Sequence, residues 1–171
     1  MTSSPTFYIL TGLSFAGKSV LAREIALVME ATIVDPDAVA HERGLGQFGE
    51  AVTDEQWLLV HAEAERRAGE LLQVGRSVVY DTTGFNREQR DRLRSLGHEK
   101  ASNSVVIYVR IAPDEAERRW SRNNQTRERF LVHPADFRMV LSAYQPPQTD
   151  EPHLIYDSGE PINEWLDLHL V

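Results

Sequence analysis

The chain of 171 residues is long enough for one domain with a sizeable hydrophobic core, and its 18 basic and 26 acidic residues give a net charge of -8. That charge argues against a long nucleic-acid partner, because an acidic protein repels the phosphate backbone unless its basic residues are grouped. The lack of cysteine excludes disulfides and thiolate metal sites, and no apolar run predicts a membrane span or a signal peptide, so we expect a cytoplasmic protein.

The first predicted strand, residues 6–11, leads directly into a glycine-rich loop. Gly12-Leu13-Ser14-Phe15-Ala16-Gly17-Lys18-Ser19 matches the G-x-x-x-x-G-K-[ST] pattern of a phosphate-binding loop, and an apolar helical face follows it. In that pattern backbone N–H groups approach the phosphates, the lysine reaches the terminal phosphates, and the serine hydroxyl binds magnesium. The residues expected to contact the nucleotide here are Gly12, Ser14, Ala16, Gly17, Lys18, Ser19 and Val20.

Two acids, Asp35 and Asp37, follow the second predicted strand at 31–34. In a doubly wound sheet this point lies at the carboxyl edge, across the crevice from the phosphate loop. A kinase needs a carboxylate there to accept the proton of the acceptor hydroxyl, and Asp37 is our candidate for that base. Asp35 is better explained as the N-cap of a helix that begins at Pro36, and a favourable interaction with the helix dipole is the alternative for Asp37.

The third predicted strand, at 77–81, ends in Asp81, where P-loop folds place a Walker B carboxylate beside magnesium. Thr82 stands where ATPase motors usually carry a glutamate that activates water, which argues against such a motor. Asp81-Thr82-Thr83-Gly84 also fits the D-x-x-G of GTPases, but the chain has no Asn-Lys pair for their guanine-binding segment. A turn residue at the end of a strand is the alternative for Asp81.

Basic residues are grouped between Pro113 and Arg129, where five arginines accompany four acids. On a helix that begins near Pro113, one face can pair with these acids while another faces the phosphates. Guanidinium groups suit phosphate oxygens and stabilise charge on a phosphoryl group in transfer. Residues 123–126 have low helix propensity, so we expect a mobile lid at about 119–132 between two helices. A solvated helix face is the alternative for any single arginine.

Strands and helices alternate along the whole chain. Two more strands are predicted at 104–110 and 153–157. Other helices are predicted from Thr53 to Gln73 and from Asn86, Pro113, Pro134 and Pro161. This alternation predicts a single α/β domain over residues 1–171, with three layers and right-handed crossovers.

The order of these parts resembles the small P-loop kinases of the AAA-family ATPase-like group, which include polynucleotide kinase, chloramphenicol phosphotransferase and zeta toxin kinases. The resemblance covers about 6–168 and includes the acids around Pro36, the segment 79–86 with Arg90 after it, and the tail before Glu151. It implies a parallel five-stranded sheet in the order 2-3-1-4-5. It also implies ATP with Mg²⁺ as phosphoryl donor and a hydroxyl group as acceptor. Our leading interpretation is an ATP-dependent kinase for a small hydroxylated or nucleotide-like acceptor.

Matched residue by residue, the resemblance gives most parts of the site a position in this chain. It places the base on Asp37, the phosphate lysine on Lys18, the magnesium hydroxyl on Ser19, and the lid arginines on Arg122 and Arg127. We add Asp81 as a metal ligand and Arg119 as a nucleotide contact. Relatives often carry an arginine three residues after the base, where this chain has Ala40, so the resemblance predicts acceptor binding least well.

Two other functions stay open from the sequence. A polynucleotide 5′-hydroxyl kinase would bind single-stranded ends with strong salt dependence, although the acidic chain shows no extended basic track outside the lid. A nucleotide-binding regulatory module would bind ATP and move its lid without transferring phosphate. No pattern in the sequence indicates the oligomeric state.

Overall fold

Five parallel strands form the sheet in the computed structural model, which describes residues 4–48, 50–100 and 102–171. The strands are β1 (Thr6–Thr11), β2 (Thr32–Val34), β3 (Val78–Tyr80), β4 (Asn103–Arg110) and β5 (Leu154–Asp157). Their spatial order is β2-β3-β1-β4-β5, and all neighbouring strands pair in parallel. The predicted α/β class and strand order are therefore confirmed.

Seven helices in the described residues surround this sheet, and none of them is long and apolar enough to cross a membrane. They are α1 (Lys18–Val28), α2 (Pro36–Glu42), α3 (Asp54–Gln73), α4 (Arg87–Glu99), α5 (Pro113–Thr126), α6 (Pro134–Ala143) and α7 (Ile162–His169). The predicted caps are present, since the side chains of Asp35, Thr53 and Asn86 each accept a hydrogen bond from a backbone N–H in the first turn. These caps explain why the helices begin where the sequence indicates.

Strand β1 lies at the centre and separates two hydrophobic cores. Phe7 and Ile9 face the core formed with α2, α3 and α4, whereas Tyr8 and Leu10 face the core formed with α1 and α7. All four side chains are at most 4% exposed. Burial of each contributes on the order of 2 kcal/mol, so the strand that leads into the phosphate loop is firmly held.

The structure differs from the prediction at two helix ends. Helix α5 continues through residues 123–126 and ends at Thr126, and its C-cap Arg127 has a left-handed φ of 54°. Asn123 is 5% exposed and bonded to the following loop, and this tertiary contact outweighs a propensity difference of less than about 1 kcal/mol per residue. The segment between α5 and α6 is therefore 127–133, which we call the lid loop. Pro161 is the N-cap of α7 and not its first helical residue.

Candidate active site

The phosphate loop, residues 12–19, joins β1 to the N-terminus of α1 and depends on two glycines. A Cβ atom at Gly12 would lie 2.5 Å from the carbonyl oxygen of Val109, which only glycine avoids. Gly17 is the N-cap of α1 with a left-handed φ of 99°, and no side chain caps this helix. The first N–H groups of α1 thus point into the loop, where they can bind an anion.

Lys18 lies across this loop. Its Nζ donates hydrogen bonds to the carbonyl oxygens of Gly12, at 2.9 Å, and Leu13, at 2.7 Å. Burial lowers the pKa of Lys18, the negative charges of Asp81, Asp37 and Asp35 oppose that shift, and the positive charge of Arg129 adds to it. The predicted phosphate lysine therefore lies among the predicted acids and one arginine of the lid loop.

Asp35, Asp37 and Asp81 converge at the carboxyl ends of β2 and β3. The Asp35 carboxylate accepts a hydrogen bond from the Asp37 backbone N–H at 2.8 Å, as expected of an N-cap. Burial raises the pKa of Asp35 to about 7, with further contributions from Asp37 and Asp81. Burial and Asp81 also raise the pKa of Asp37, against the opposing effects of Lys18 and His41. The Asp37 side chain is exposed to solvent, so a ligand can reach this carboxylate although other protein groups lie close enough to change its pKa.

A cavity of about 360 Å³ is lined by Ser19, Asp35 and Asp81, among other residues. Asp81 is 7% exposed, and its backbone N–H donates to the carbonyl oxygen of Val34. A hydroxyl and carboxylates are ligands that Mg²⁺ accepts when nucleotide phosphates supply the others. No cluster of three or more His, Cys, Asp or Glu suited to a metal ion occurs in 4–48, 50–100 or 102–171. Ser19 and Asp81 could hold Mg²⁺ only together with the phosphates of a bound nucleotide, which would supply the other ligands.

Arg119 lies against the phosphate loop. Its Nη1 donates to the carbonyl oxygen of Phe15 at 3.3 Å and to Ser158 Oγ at 3.0 Å, and Ser158 Oγ donates to the carbonyl oxygen of Ala16 at 2.7 Å. Both side chains line a second cavity, of about 620 Å³, beside the loop. This cavity opens on the side of the loop opposite α2, where it could receive the nucleoside part of a nucleotide. Sequence reasoning missed Ser158, since a serine in a polar turn carries no distinguishing signal.

The positive charge of Arg129, in the lid loop, contributes to lowering the pKa of Lys18. Asn123 positions Arg129 by accepting a hydrogen bond from the Arg129 backbone N–H at 2.9 Å. Arg122 and Arg127 are exposed, and their predicted role in phosphoryl transfer stays a prediction.

The lid loop also contacts α2 through Phe130. The Phe130 ring stacks on His41 with centroids 3.7 Å apart and an interplanar angle of 22°. His41 follows Asp37 by one helical turn, so the two share a face of α2. The lid loop therefore lies over the same side of α2 that carries the candidate base.

A buried ion pair holds the segment after β3 next to the phosphate loop. Arg90 binds Glu151 through two hydrogen bonds of 2.6 and 2.8 Å, and its Nη1 also donates to the carbonyl oxygens of Gly84 and Gln145. The Thr83 carbonyl oxygen in turn accepts a hydrogen bond from the Gly12 N–H at 3.0 Å. Arg90 and Glu151, which the resemblance to P-loop kinases includes, therefore help to hold the segment after β3 beside the phosphate loop.

Comparison with known proteins agrees with this geometry. A sequence model of the AAA domain family matches residues 8–147. No curated protein is similar enough in sequence to count as a match.

Solved structures share the fold over nearly the whole chain. A sugar kinase from Janibacter sp. HTCC2649 has 17% identity and a TM-score of 0.72, with 98% of this chain and 93% of that chain covered. The APS kinase of Mycobacterium tuberculosis in complex with AMPPNP and APS has 20% identity and a TM-score of 0.65, with 96% and 95% covered. Chaetomium thermophilum Kti12 in complex with ADP-AlF3 has 14% identity and a TM-score of 0.73, with 94% and 97% covered. The fold is thus that of P-loop kinases and related nucleotide-binding proteins.

Proposed function

This chain belongs to the AAA domain family, and from that premise we propose that it is an ATP-dependent kinase. In this proposal it transfers the γ-phosphoryl group to a hydroxyl of a small-molecule or nucleotide-like acceptor. The observation that carries the proposal is the position of Asp37: a carboxylate with a raised pKa lies close enough to Lys18 and Asp81 for their charges to act on one another. A kinase site needs such a carboxylate within reach of the terminal phosphate.

The donor half of the site is the phosphate loop. The backbone N–H groups of residues 14–19 would bind the β- and γ-phosphates, and Lys18 would exchange its bonds to the loop carbonyls for phosphate oxygens. Ser19 and Asp81 would hold Mg²⁺, which when bound neutralises charge on the phosphates. Arg129 would approach the transferred group from the lid loop and stabilise its developing charge.

The acceptor half is the face of α2 that carries Asp37. The acceptor hydroxyl would lose its proton to the Asp37 carboxylate as its oxygen forms a bond to the γ-phosphorus. The bond between that phosphorus and the bridging oxygen breaks in the same step, and ADP leaves. A raised pKa makes Asp37 a stronger base, and the transfer rate should fall with decreasing pH as Asp37 becomes protonated.

The proposal is tested by transfer of label from γ-labelled ATP. Wild-type protein with Mg²⁺ should label a component of a panel of sugars, nucleosides, sugar nucleotides and small alcohols, or of a cell extract analysed by mass spectrometry. Lys18→Ala should abolish the labelling. Asp37→Asn should lower it by about 10²- to 10⁴-fold and retain nucleotide binding, because loss of a negative charge near the phosphates does not weaken that binding.

Asp167→Asn provides the matched control, since Asp167 is an exposed aspartate on α7. This variant should transfer phosphate as the wild type does. A wild-type protein that binds ATP tightly but labels no acceptor would overturn the kinase proposal.

A regulatory nucleotide-binding module is the second candidate function. The similarity in fold to Kti12 in complex with ADP-AlF3 favours it, because that protein binds a nucleotide in the same architecture. Under this alternative, wild-type protein transfers no phosphate and Asp37→Asn responds to nucleotide as the wild type does. The labelling experiment therefore distinguishes the two functions.

A further inference from the structure

Phe15 stands at the apex of the phosphate loop in an unusual conformation. Its φ of 64° lies in the left-handed region, which a bulky residue adopts only where its surroundings hold it there. Two contacts do so. The Phe15 carbonyl oxygen accepts a hydrogen bond from Arg119, and the Phe15 ring meets the edge of Phe137 on α6, with centroids 6.2 Å apart at 67°.

The contact continues from Phe137 to α5. Phe137 is 2% exposed and stacks on Trp120, with centroids 4.6 Å apart and an interplanar angle of 6°. Phe15, Phe137 and Trp120 thus form an aromatic row from the phosphate loop to the two helices that flank the lid loop. A motion of the Phe15 ring must be accommodated by the other two, because packed side chains do not deform continuously.

The far end of the aromatic row holds the lid loop directly. Trp120 Nε1 donates a hydrogen bond to the carbonyl oxygen of Val132 at 3.2 Å. One turn further along α5, the Asn123 amide bonds the Arg129 backbone N–H and the carbonyl oxygens of Arg129 and Phe130. The same helix face therefore fixes the lid loop near both of its ends.

We infer that the aromatic row couples nucleotide binding at the phosphate loop to the position of the lid loop. The side chains of Phe15, Phe137 and Trp120 then have a positioning role: they act through Arg129 and touch no reacting atom themselves. The inference rests on the proposed nucleotide site and specifies how that site controls its lid. Because such coupling is reciprocal, a lid loop held against α2 also favours the nucleotide-bound form of the phosphate loop.

Trypsin cleavage measures this coupling without an acceptor. Arg127 and Arg129 are exposed in the lid loop and give cleavage sites that mass spectrometry can identify. A non-hydrolysable ATP analogue with Mg²⁺ should slow cleavage at both sites in the wild type. Phe15→Ala should bind the analogue in calorimetry but reduce its effect on the cleavage rate by about fivefold or more, the range typical of coupling between sites.

Two further variants keep the test independent of one substitution. Phe137→Leu preserves an apolar side chain in the buried position and should show the same loss of coupling. Phe48→Ala is the matched control, because Phe48 is 87% exposed and lies outside the aromatic row. It should leave the effect of the analogue on cleavage unchanged.

The outcomes separate this inference from the proposed function. Variants of the aromatic row that bind the analogue and retain full protection of the lid loop would overturn the coupling. Binding without any protection in the wild type would overturn it as well, and both results leave the kinase proposal intact. Failure of the wild type to bind the analogue would overturn the proposed function, and the coupling with it.

Discussion

Asp35 and Asp37 lie two residues apart at the start of α2, and the structure gives them different environments. The Asp35 side chain turns back to cap the helix and lines the cavity beside Ser19 and Asp81. Asp37 is exposed to solvent, and the charges of Lys18 and His41 oppose the rise in its pKa. The cap was predictable from the Asp-Pro pair, whereas the charge environment was not, because it depends on residues brought in from β3 and α1.

Asp35→Asn should make the protein more stable at alkaline pH. Burial raises the pKa of Asp35 to about 7, whereas an unfolded aspartate titrates near about 3.9, so between these values the folded state binds more protons. The stability contribution of Asp35 therefore falls as pH rises through this window. Asparagine caps equally well without a charge, so the variant should gain up to about 4 kcal/mol at pH 8 and less at pH 5.

Urea unfolding of both proteins at the two pH values measures this difference. Asp54→Asn is the control, because Asp54 is an exposed aspartate in the first turn of α3. It should show no gain at pH 8. An equal change in stability at both pH values for Asp35→Asn would contradict the assignment.

At the scale of elements, the sequence predicted regular structure better than it predicted contacts between segments. The strands and caps follow from local patterns, and each appears within about two residues of its predicted position. The prediction of a helix break at 123–126 was wrong. The Asn123 amide bonds to the next loop, and helix propensity does not reveal such a contact. Arg129, whose charge contributes to the pKa of Lys18, was not among the predicted lid arginines, because its position depends on the conformation of the lid loop.

Helix α4 offers a matched comparison of a buried and an exposed ion pair. Arg90 and Glu151 are each 1% exposed in their side chains, and hydrogen bonds from Arg90 and Arg94 overcome the effect of burial to hold the pKa of Glu151 at about 2. Arg90→Met should lower the free energy of unfolding by about 3–5 kcal/mol, because Glu151 would lose its main buried partner.

The exposed pair between Arg87 and Asp150 joins the same helix to the same segment. Arg87→Met should lower the free energy of unfolding far less than Arg90→Met does, since water screens that pair. Equilibrium unfolding in guanidinium chloride compares the two variants. Similar losses for both would show that burial of the Arg90 pair adds nothing to its contribution.

For the whole molecule, the order of strands determines which loops meet. The loops after β1, β2 and β3 meet at one edge of the sheet because these strands are neighbours, and this brings Lys18, Asp37 and Asp81 together from distant parts of the sequence. The resemblance to P-loop kinases predicted that order correctly. The site of the proposed acceptor was not predictable in the same way, since it would depend on how the lid loop and α2 approach each other.

The net charge of the molecule leads to a prediction about its substrate. At -8, the protein should bind single-stranded oligonucleotides only weakly at physiological salt, with little dependence on salt concentration. Fluorescence anisotropy of a labelled 5′-hydroxyl oligonucleotide, titrated at several salt concentrations, measures both quantities. Tight binding that weakens steeply with salt would instead favour a polynucleotide kinase.

The hydrogen bond from Ser158 to Ala16 has a consequence for how the protein acquires its site during synthesis. The phosphate loop leaves the ribosome well before Ser158, which follows Ala16 by 142 residues, and Glu151 and Ser158 lie beyond the segment 8–147 that the family model matches. A nascent chain that already contains every motif therefore still lacks the side chains that fix the loop. Nucleotide should accordingly stabilise the released protein but not a ribosome-bound chain in which β5 is still inside the exit tunnel.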